Sequence, residues 1–518
     1  MAVSTERLGP PPTPSRSGGA PSGEAPAGSR RRGARAAGTA LALVAASLPM
    51  FMSTLDNLVM TTALPVIRAD LSASLEQLQW MVNAYTLAFA SLMIAAASLG
   101  DRIGRRRAFV LGIGLFGAGS VASALAGSAG MLIAARAVQG AGAAAILPLS
   151  LTLLAGAVPV ARRAMAIGIW GAVSGLGVAL GPVIGGAVVD GLSWQAIFWL
   201  NIPVAFVAIP LVLRALPESF GRRHRLDVAG VLLAGTGVLA IVWGVVRGND
   251  DGWTSAPVLG RLLAGVALLV AFGWREQRAA HPLVPLRLFS VRSFSVANAA
   301  GFAFSVGAFG VVFVLSQYLQ IGLGYSPFQA GLRTLPWTAA PMVVAPLAGL
   351  LAPRTGVRPL LTVGLVLQAA GLAWLGLIVA GTTSYPDFVP GLLLAGVGMG
   401  LTFAPSATAV LADMPEVEHG TASSVNATVR ELGAAVGVAV VVAVFQAAGG
   451  TLSPDGYAGG LRPAMLVGAA IVAVGAAASV LMPAGTGRRA PSAPSTPSTP
   501  SAPLAPSAPS APSAPSVP

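Results

Sequence analysis

Cysteine is absent from this 518-residue chain, and so is lysine: all 31 basic residues are arginine. Without cysteine there are no disulfides, no thiolate metal sites and no cysteine nucleophile. Without lysine there is no Gly-x4-Gly-Lys-Ser/Thr loop, which excludes ATP hydrolysis through one. Histidine is scarce, and His224, His281 and His419 lie far apart between apolar segments, so no histidine metal cluster is expected. Charge is scarce too. Only 9% of residues are charged, against about a quarter in soluble domains.

What remains is apolar: 55% of the residues are hydrophobic and the mean hydropathy is +0.77. A bilayer core about 30 Å thick needs roughly 20 apolar residues in a helix. Fourteen such stretches stand out, at about Gly38–Ala63, Gln79–Leu99, Ala108–Ala126, Met131–Leu154, Ala164–Val189, Ala196–Leu216, Val228–Val246, Val258–Gly273, Ser293–Leu319, Phe328–Leu351, Pro359–Ala380, Phe388–Leu411, Ala422–Ala448 and Pro463–Met482. The predicted fold class is therefore an all-α integral membrane protein. Arginines test the count: 21 fall in alternate loops and tails, such as Arg30–Arg32, Arg105–Arg107 and Arg488–Arg489, against four in the loops between. That asymmetry follows the positive-inside rule and puts both termini in the cytoplasm, whereas a nucleic-acid face would gather the net charge of +13 in one patch. The inner loop from Asp413 to Gly420 fits least well, having acids and no arginine. Residues 1–37 and the Ala-Pro-Ser-rich tail 484–518 cannot form a core and are expected to be disordered. The first span is too long for a signal-peptide core and contains Asp56, so it is expected to be retained.

The chain repeats itself. Ala97–Arg106 after the second span aligns with Gly349–Arg358 after the tenth, matching Leu99 to Leu351, Arg102 to Arg354 and Gly104 to Gly356. Each copy joins the second and third helices of a six-helix half, an arrangement of parallel repeats found in major facilitator transporters. Four segments strengthen that likeness: Leu55–Pro65 in span 1, Gly100–Arg106, Arg136–Gly140 in span 4, and the glycines of span 5 from Gly171 to Gly186. Trp194–Pro203 adds a fifth. In that order, over about residues 38–483, the chain resembles the 14-span drug:proton antiporter family of the major facilitator superfamily. It departs from the family pattern at Leu58, Thr61, Ala97, Gln195, Ala196 and Pro353.

The resemblance implies a major facilitator fold: a six-helix half (38–216), two additional helices and linker (217–292), and a second six-helix half (293–483). It implies a proton-coupled exporter of a lipophilic drug or natural product, in a bacterial cytoplasmic membrane, driven by the proton gradient with no cofactor. The expected partners are the substrate, protons and lipid, with no nucleic acid, and the chain is expected to act as a monomer. An importer or facilitator of a small nutrient is the alternative; a membrane enzyme or sensor has no catalytic constellation to support it.

Ionisable residues inside a membrane are functional candidates by default. Asp56, placed in the outer half of span 1, is poised between burial, which favours the neutral acid, and any nearby cation, which favours the anion. It is either a proton site or a structural hydrogen-bonding group. Arg136 is the only fixed positive charge deep in the first half, and the resemblance implies a place in proton relay for it. The two need not touch. Arg430 and Glu431 point about 100° apart on one helix, so only one can face a cavity fully; Glu431 is the second candidate for proton coupling. Arg333 either guards the outer vestibule or snorkels to the headgroups. Gly100, Asp101, Arg102, Gly104, Arg105 and Arg106 are expected to form a cytoplasmic gate that latches onto the other half. Gly175, Gly181, Pro182, Gly185 and Gly186 are expected to let helices pack closely, with Pro182 a kink site. Their link to antiport rests on the resemblance. The additional helices show no evident chemistry.

Overall fold

The computed structural model describes residues 27–221, 227–279, 282, 284–379, 384–415 and 418–484. The N-terminal tail before Ala27, the basic cluster Arg222–Arg225 with His224, His281, and the Pro-rich tail beyond 484 lie outside the described residues. Among the described residues there is no β-strand, and fourteen helices are long and apolar enough to cross a membrane.

The first half comprises α1 (Ala27–Leu71), α2 (Leu75–Ile103), α3 (Arg105–Ala124), α4 (Ala129–Ala157), α5 (Val160–Gly191) and α6 (Ala196–Ala215). Then come α7 (Val228–Asp251) and α8 (Ala256–Arg278). The second half comprises α9 (Arg292–Gly322), α10 (Pro327–Thr355), α11 (Val357–Ile378), α12 (Tyr385–Ala412), α13 (His419–Ala447) and α14 (Pro454–Ser479). Helix α1 corrects two expectations. Its apolar span starts at Gly38 as expected, but the helix itself begins earlier, at Ala27, in the stretch expected to be disordered. It also continues through Pro65 to Leu71, which leaves Asp56 near the middle of the span rather than in its outer half.

The repeat seen in sequence is a repeat of helix ends. Helix α2 starts with a capping box between Ser74 and Gln77, and α10 starts with the same device between Ser326 and Gln329. Both stop at the paired glycine of the loop motif, where Gly104 takes φ +109° and Gly356 takes φ +84°. A side chain rarely adopts those angles, which is the local reason for glycine at both points.

The halves exchange helices across their seam: α5 packs along α10, and α2 along α13. Bonds between the halves concentrate on the side opposite the arginine-rich loops, called here the outer side. Ser316 Oγ donates to the Thr61 carbonyl (3.1 Å) and Gln320 Nε2 to the Thr62 carbonyl (2.9 Å). Asp190 accepts from Ser326 Oγ (2.6 Å) and from the Phe328 N–H (3.0 Å). Arg68 reaches the Leu452 carbonyl (3.3 Å). This conformation is sealed on its outer side, while Gly168, Gly171 and Gly175 towards the inner end of α5 face open space.

Helix α7 lies against both α2 and α13, with Val238, Val242 and Val246 packed on Leu87, Ala435 and Ala439. Helix α8 packs mainly on α7: 11% of its apolar stretch is buried, against 78% for α9, so α8 is the most peripheral of the fourteen and α9 a central one. Arg275 Nη2 clamps the inner ends of this hairpin to Asp227 Oδ1 at 2.7 Å. Burial pushes the Asp227 carboxyl up, but Arg275 and the Gly230 N–H more than offset it and hold the group below the usual carboxylate range. The acidic inner loop without an arginine is served from elsewhere, since Arg287 of the linker reaches Glu418 at 2.6 Å.

Candidate functional site

Asp56 and Arg136 meet directly. Arg136 Nη1 lies 2.5 Å from Asp56 Oδ2, with the two residues 1% and 4% exposed. The same Nη1 donates to Gln139 Oε1 (2.7 Å), and Arg136 Nε to the Met81 carbonyl (3.3 Å). The second carboxylate oxygen, Oδ1, accepts from Gln139 Nε2 and Asn201 Nδ2, each at 2.8 Å. Both amides also donate to Ser120 Oγ, at 2.8 and 3.1 Å. The Tyr85 ring lies under the guanidinium at 4.3 Å, and its hydroxyl meets Ser53 Oγ at 3.0 Å. Five helices, α1, α2, α3, α4 and α6, thus supply one buried polar node.

Small residues allow the approach. A Cβ on Gly140 would overlap the Tyr85 carbonyl oxygen, and one on Gly119 would meet the Gln139 backbone nitrogen at 2.7 Å. Glycine at these positions brings α2 and α3 against α4. Removing one partner of such a buried pair leaves an uncompensated charge, at a cost of about 3–5 kcal/mol.

Asn201, Ser120 and Tyr85 were not singled out in sequence. Asn201 sits in the Trp194–Pro203 motif, so a signal existed for it. Ser120 and Tyr85 are ordinary apolar-helix neighbours in sequence and carry none.

Glu431 lines a small cavity between the halves, with Asn57, Leu58, Thr86, Phe309 and Phe313 among its walls. Its neighbour Arg430 points elsewhere, onto the Phe403 ring at 4.4 Å. Arg333 stacks over Tyr325 at 3.8 Å and donates to the Gln329 carbonyl at 3.2 Å.

The residues of the inner loop are held within their own half. Arg105 Nε donates to Asp101 Oδ1 (2.7 Å), and the Arg106 N–H to Glu218 Oε1 (2.9 Å). The Gly221 N–H donates to the Asp101 carbonyl (3.1 Å), and a Cβ on Gly104 would lie 2.8 Å from the Glu218 carboxyl carbon. In this conformation the loop grips the segment after α6 rather than the second half.

The α5 glycines divide by depth. Added Cβ atoms at Gly181 and Gly185 would meet Leu58 and Val59 of α1 at 2.7 and 2.9 Å, and one at Gly186 would overlap the Pro327 carbonyl of α10. Gly331 of α10 approaches the Pro182 carbonyl in the same way. Gly175 has nothing within 4 Å and makes no close approach here. Pro182 lies inside α5, which runs unbroken as Val160–Gly191.

Two six-helix bundles, the first with a charged node buried among five of its helices, make up a multi-pass membrane protein. Residues 46–438 match the family model described as Major Facilitator Superfamily, and the chain belongs to that family. It is similar to the multidrug resistance protein Stp of Mycobacterium tuberculosis, with 37% identity over 79% of this chain and 76% of that protein. It is also similar to the multidrug efflux pump LfrA of Mycolicibacterium smegmatis, with 34% identity over 86% of this chain and 88% of that one. Among solved structures, a D-xylose–proton symporter shares the fold at a TM-score of 0.64 and 15% identity, covering 86% of this chain and 98% of that one.

Proposed function

We propose that the chain exports lipophilic compounds in exchange for protons, by alternating access of its two halves. The carrying observation is the buried carboxylate of Asp56, held by donors from Arg136, Gln139 and Asn201. An ionised carboxylate only accepts hydrogen bonds; a protonated one donates as well and loses its charge-assisted pair. Proton uptake at Asp56 therefore releases Arg136 and loosens α1 from α4. Helix α1 packs on the Gly177–Gly181–Gly185 face of α5, and α5 closes the outer side against α10. Protonation thus reaches the outer seal through two helix contacts.

The printed descriptions of Stp and LfrA, multidrug resistance and multidrug efflux, favour the outward direction for the substrate. The gradient suffices: one positive charge moving inward through 100 mV releases about 2.3 kcal/mol. That sustains roughly a 40-fold concentration ratio. The apolar walls around Glu431 suit a lipophilic substrate.

The test is transport in proteoliposomes under an imposed pH gradient. A lipophilic dye is expected to accumulate on the side with the higher proton concentration, and to stop doing so when the gradient is collapsed. Accumulation on the opposite side would mean symport, and gradient-independent equilibration a facilitator.

A further inference from the structure

The second half holds a guanidinium without a partner. Among the described residues Arg430 makes no ion pair and donates no hydrogen bond, and its Nε is buried without an acceptor. Arg136, which is 1% exposed, makes a salt bridge and a set of hydrogen bonds, whereas the partly exposed Arg430 makes neither. Glu431 is adjacent in sequence but faces the cavity lined by α1, α2 and α9. Arg333 is taken up by the Gln329 carbonyl and Tyr325.

Near Arg430 the structure places one further hydroxyl without a partner, and one side-chain amide. Ser406 is 4% exposed, and its hydroxyl has no partner. Asn426 is 6% exposed and bonds to Asn298 Oδ1 at 3.2 Å through Nδ2. All three surround Gly301 of α9: a Cβ there would lie 3.5 Å from Arg430 Cγ, 3.8 Å from Asn426 Nδ2 and 3.8 Å from Ser406 Oγ. Glycine at 301 leaves that space free. The guanidinium is fixed in place by Phe403, which is itself set edge-on to Phe304 at 5.3 Å. A planar cation stacked on an aromatic ring, with its donor edge unused, is preorganised for a planar anion.

We propose that Arg430, with Ser406 and Asn426, forms a subsite for an anionic group on the transported compound, a carboxylate or an ionised phenol, with Phe403 supplying a stacking surface. The assignment rests on the export reading and narrows its substrate to compounds that carry an acidic group on an apolar or aromatic body. The anion completes the pairing that Arg430 lacks, and Ser406 donates to its second oxygen.

The test is binding by the purified full chain in detergent, with no gradient, so that it is independent of coupling and direction. The probes are a rhodamine dye with a free carboxylate and the same dye as its methyl ester, followed by fluorescence polarisation. The wild type is expected to bind the acid about tenfold more tightly than the ester, as charge-assisted hydrogen bonds allow. Arg430→Gln is expected to remove that preference, bringing the affinity for the acid down to that for the ester. Arg430→Lys, which keeps the charge and loses the fork, is expected to retain part of it. Ser406→Ala, the mildest change, is expected to reduce the preference severalfold and supplies the answer if Arg430→Gln does not fold. Equal binding of acid and ester by the wild type would overturn the proposal, as would no binding of either. So would an equal loss of both in Arg430→Gln, or an unchanged preference in Ser406→Ala. A chain that selects the acid but does not export it would keep the subsite and remove the export reading.

Discussion

Asp56 has three side-chain donors and one full countercharge in a site closed to water, and that arrangement sets what substitution does. Arg136→Gln leaves the carboxylate buried and unpaired, so it is expected to destabilise the protein by about 3–5 kcal/mol, measured as a lower melting temperature in detergent. Pairing it with Asp56→Asn removes the orphaned charge and is expected to restore much of the loss. Equal, additive losses in the two single variants and the double would mean that the residues are not coupled. Asn201→Ala removes one of two donors to Oδ1 and is expected to lower the melting temperature by less, since Gln139 remains. Part of this node was legible in the sequence. Asp56 and Arg136 stand out because charge inside an apolar span is expensive. Their contact did not stand out, because no spacing along a chain encodes which faces of α1 and α4 meet across a bundle.

At the scale of elements, the glycines of α5 do two jobs. Gly181 and Gly185 seat α5 on α1, and Gly186 with Gly331 lets α5 touch α10 and seal the outer side. A bulky residue at 186 cannot coexist with the Pro327 carbonyl, so Gly186→Val is expected to hold the outer side open. The absence of native cysteine makes this measurable, because a single Thr62→Cys is the only thiol present. Thr62 is 1% exposed in the sealed conformation. An impermeant maleimide added from outside is expected to label Thr62→Cys slowly in the parent and several times faster with Gly186→Val. Equal rates would detach Gly186 from the outer seal. The pattern of small residues was visible in sequence, but its division was not: Gly175 belongs to the same motif, yet a Cβ there would meet nothing within 4 Å. The inner loop shows the same limit: Asp101 and its arginines were legible as a charged set, while Glu218, which accepts from the Arg106 N–H, lies 112 residues away in sequence.

Across the whole molecule, the fourteen spans and their order were readable because a bilayer demands a minimum apolar length and the intervening arginines mark alternate loops. The far end of the first span was placed too early because the helix runs on through Pro65 to Leu71, and the linker contact from Arg287 to Glu418 lies beyond any local rule. The positive-inside rule, with an even span number, leads to the proposal that both ends of the chain lie in the cytoplasm. A fluorescent protein fused at the C-terminus is expected to be bright, and alkaline phosphatase fused there inactive; the reverse would invert the topology. The deepest claim concerns energy: a proton taken up at Asp56 drives the conformational cycle. Efflux of a preloaded lipophilic dye from energised cells, wild type beside Asp56→Asn and each with and without an uncoupler, tests it most directly. Fast efflux that stops with uncoupler in the wild type, and uncoupler-insensitive residual leakage in Asp56→Asn at equal membrane levels, is the expected result. Gradient-dependent efflux that survives in Asp56→Asn would contradict it and move proton coupling to another residue.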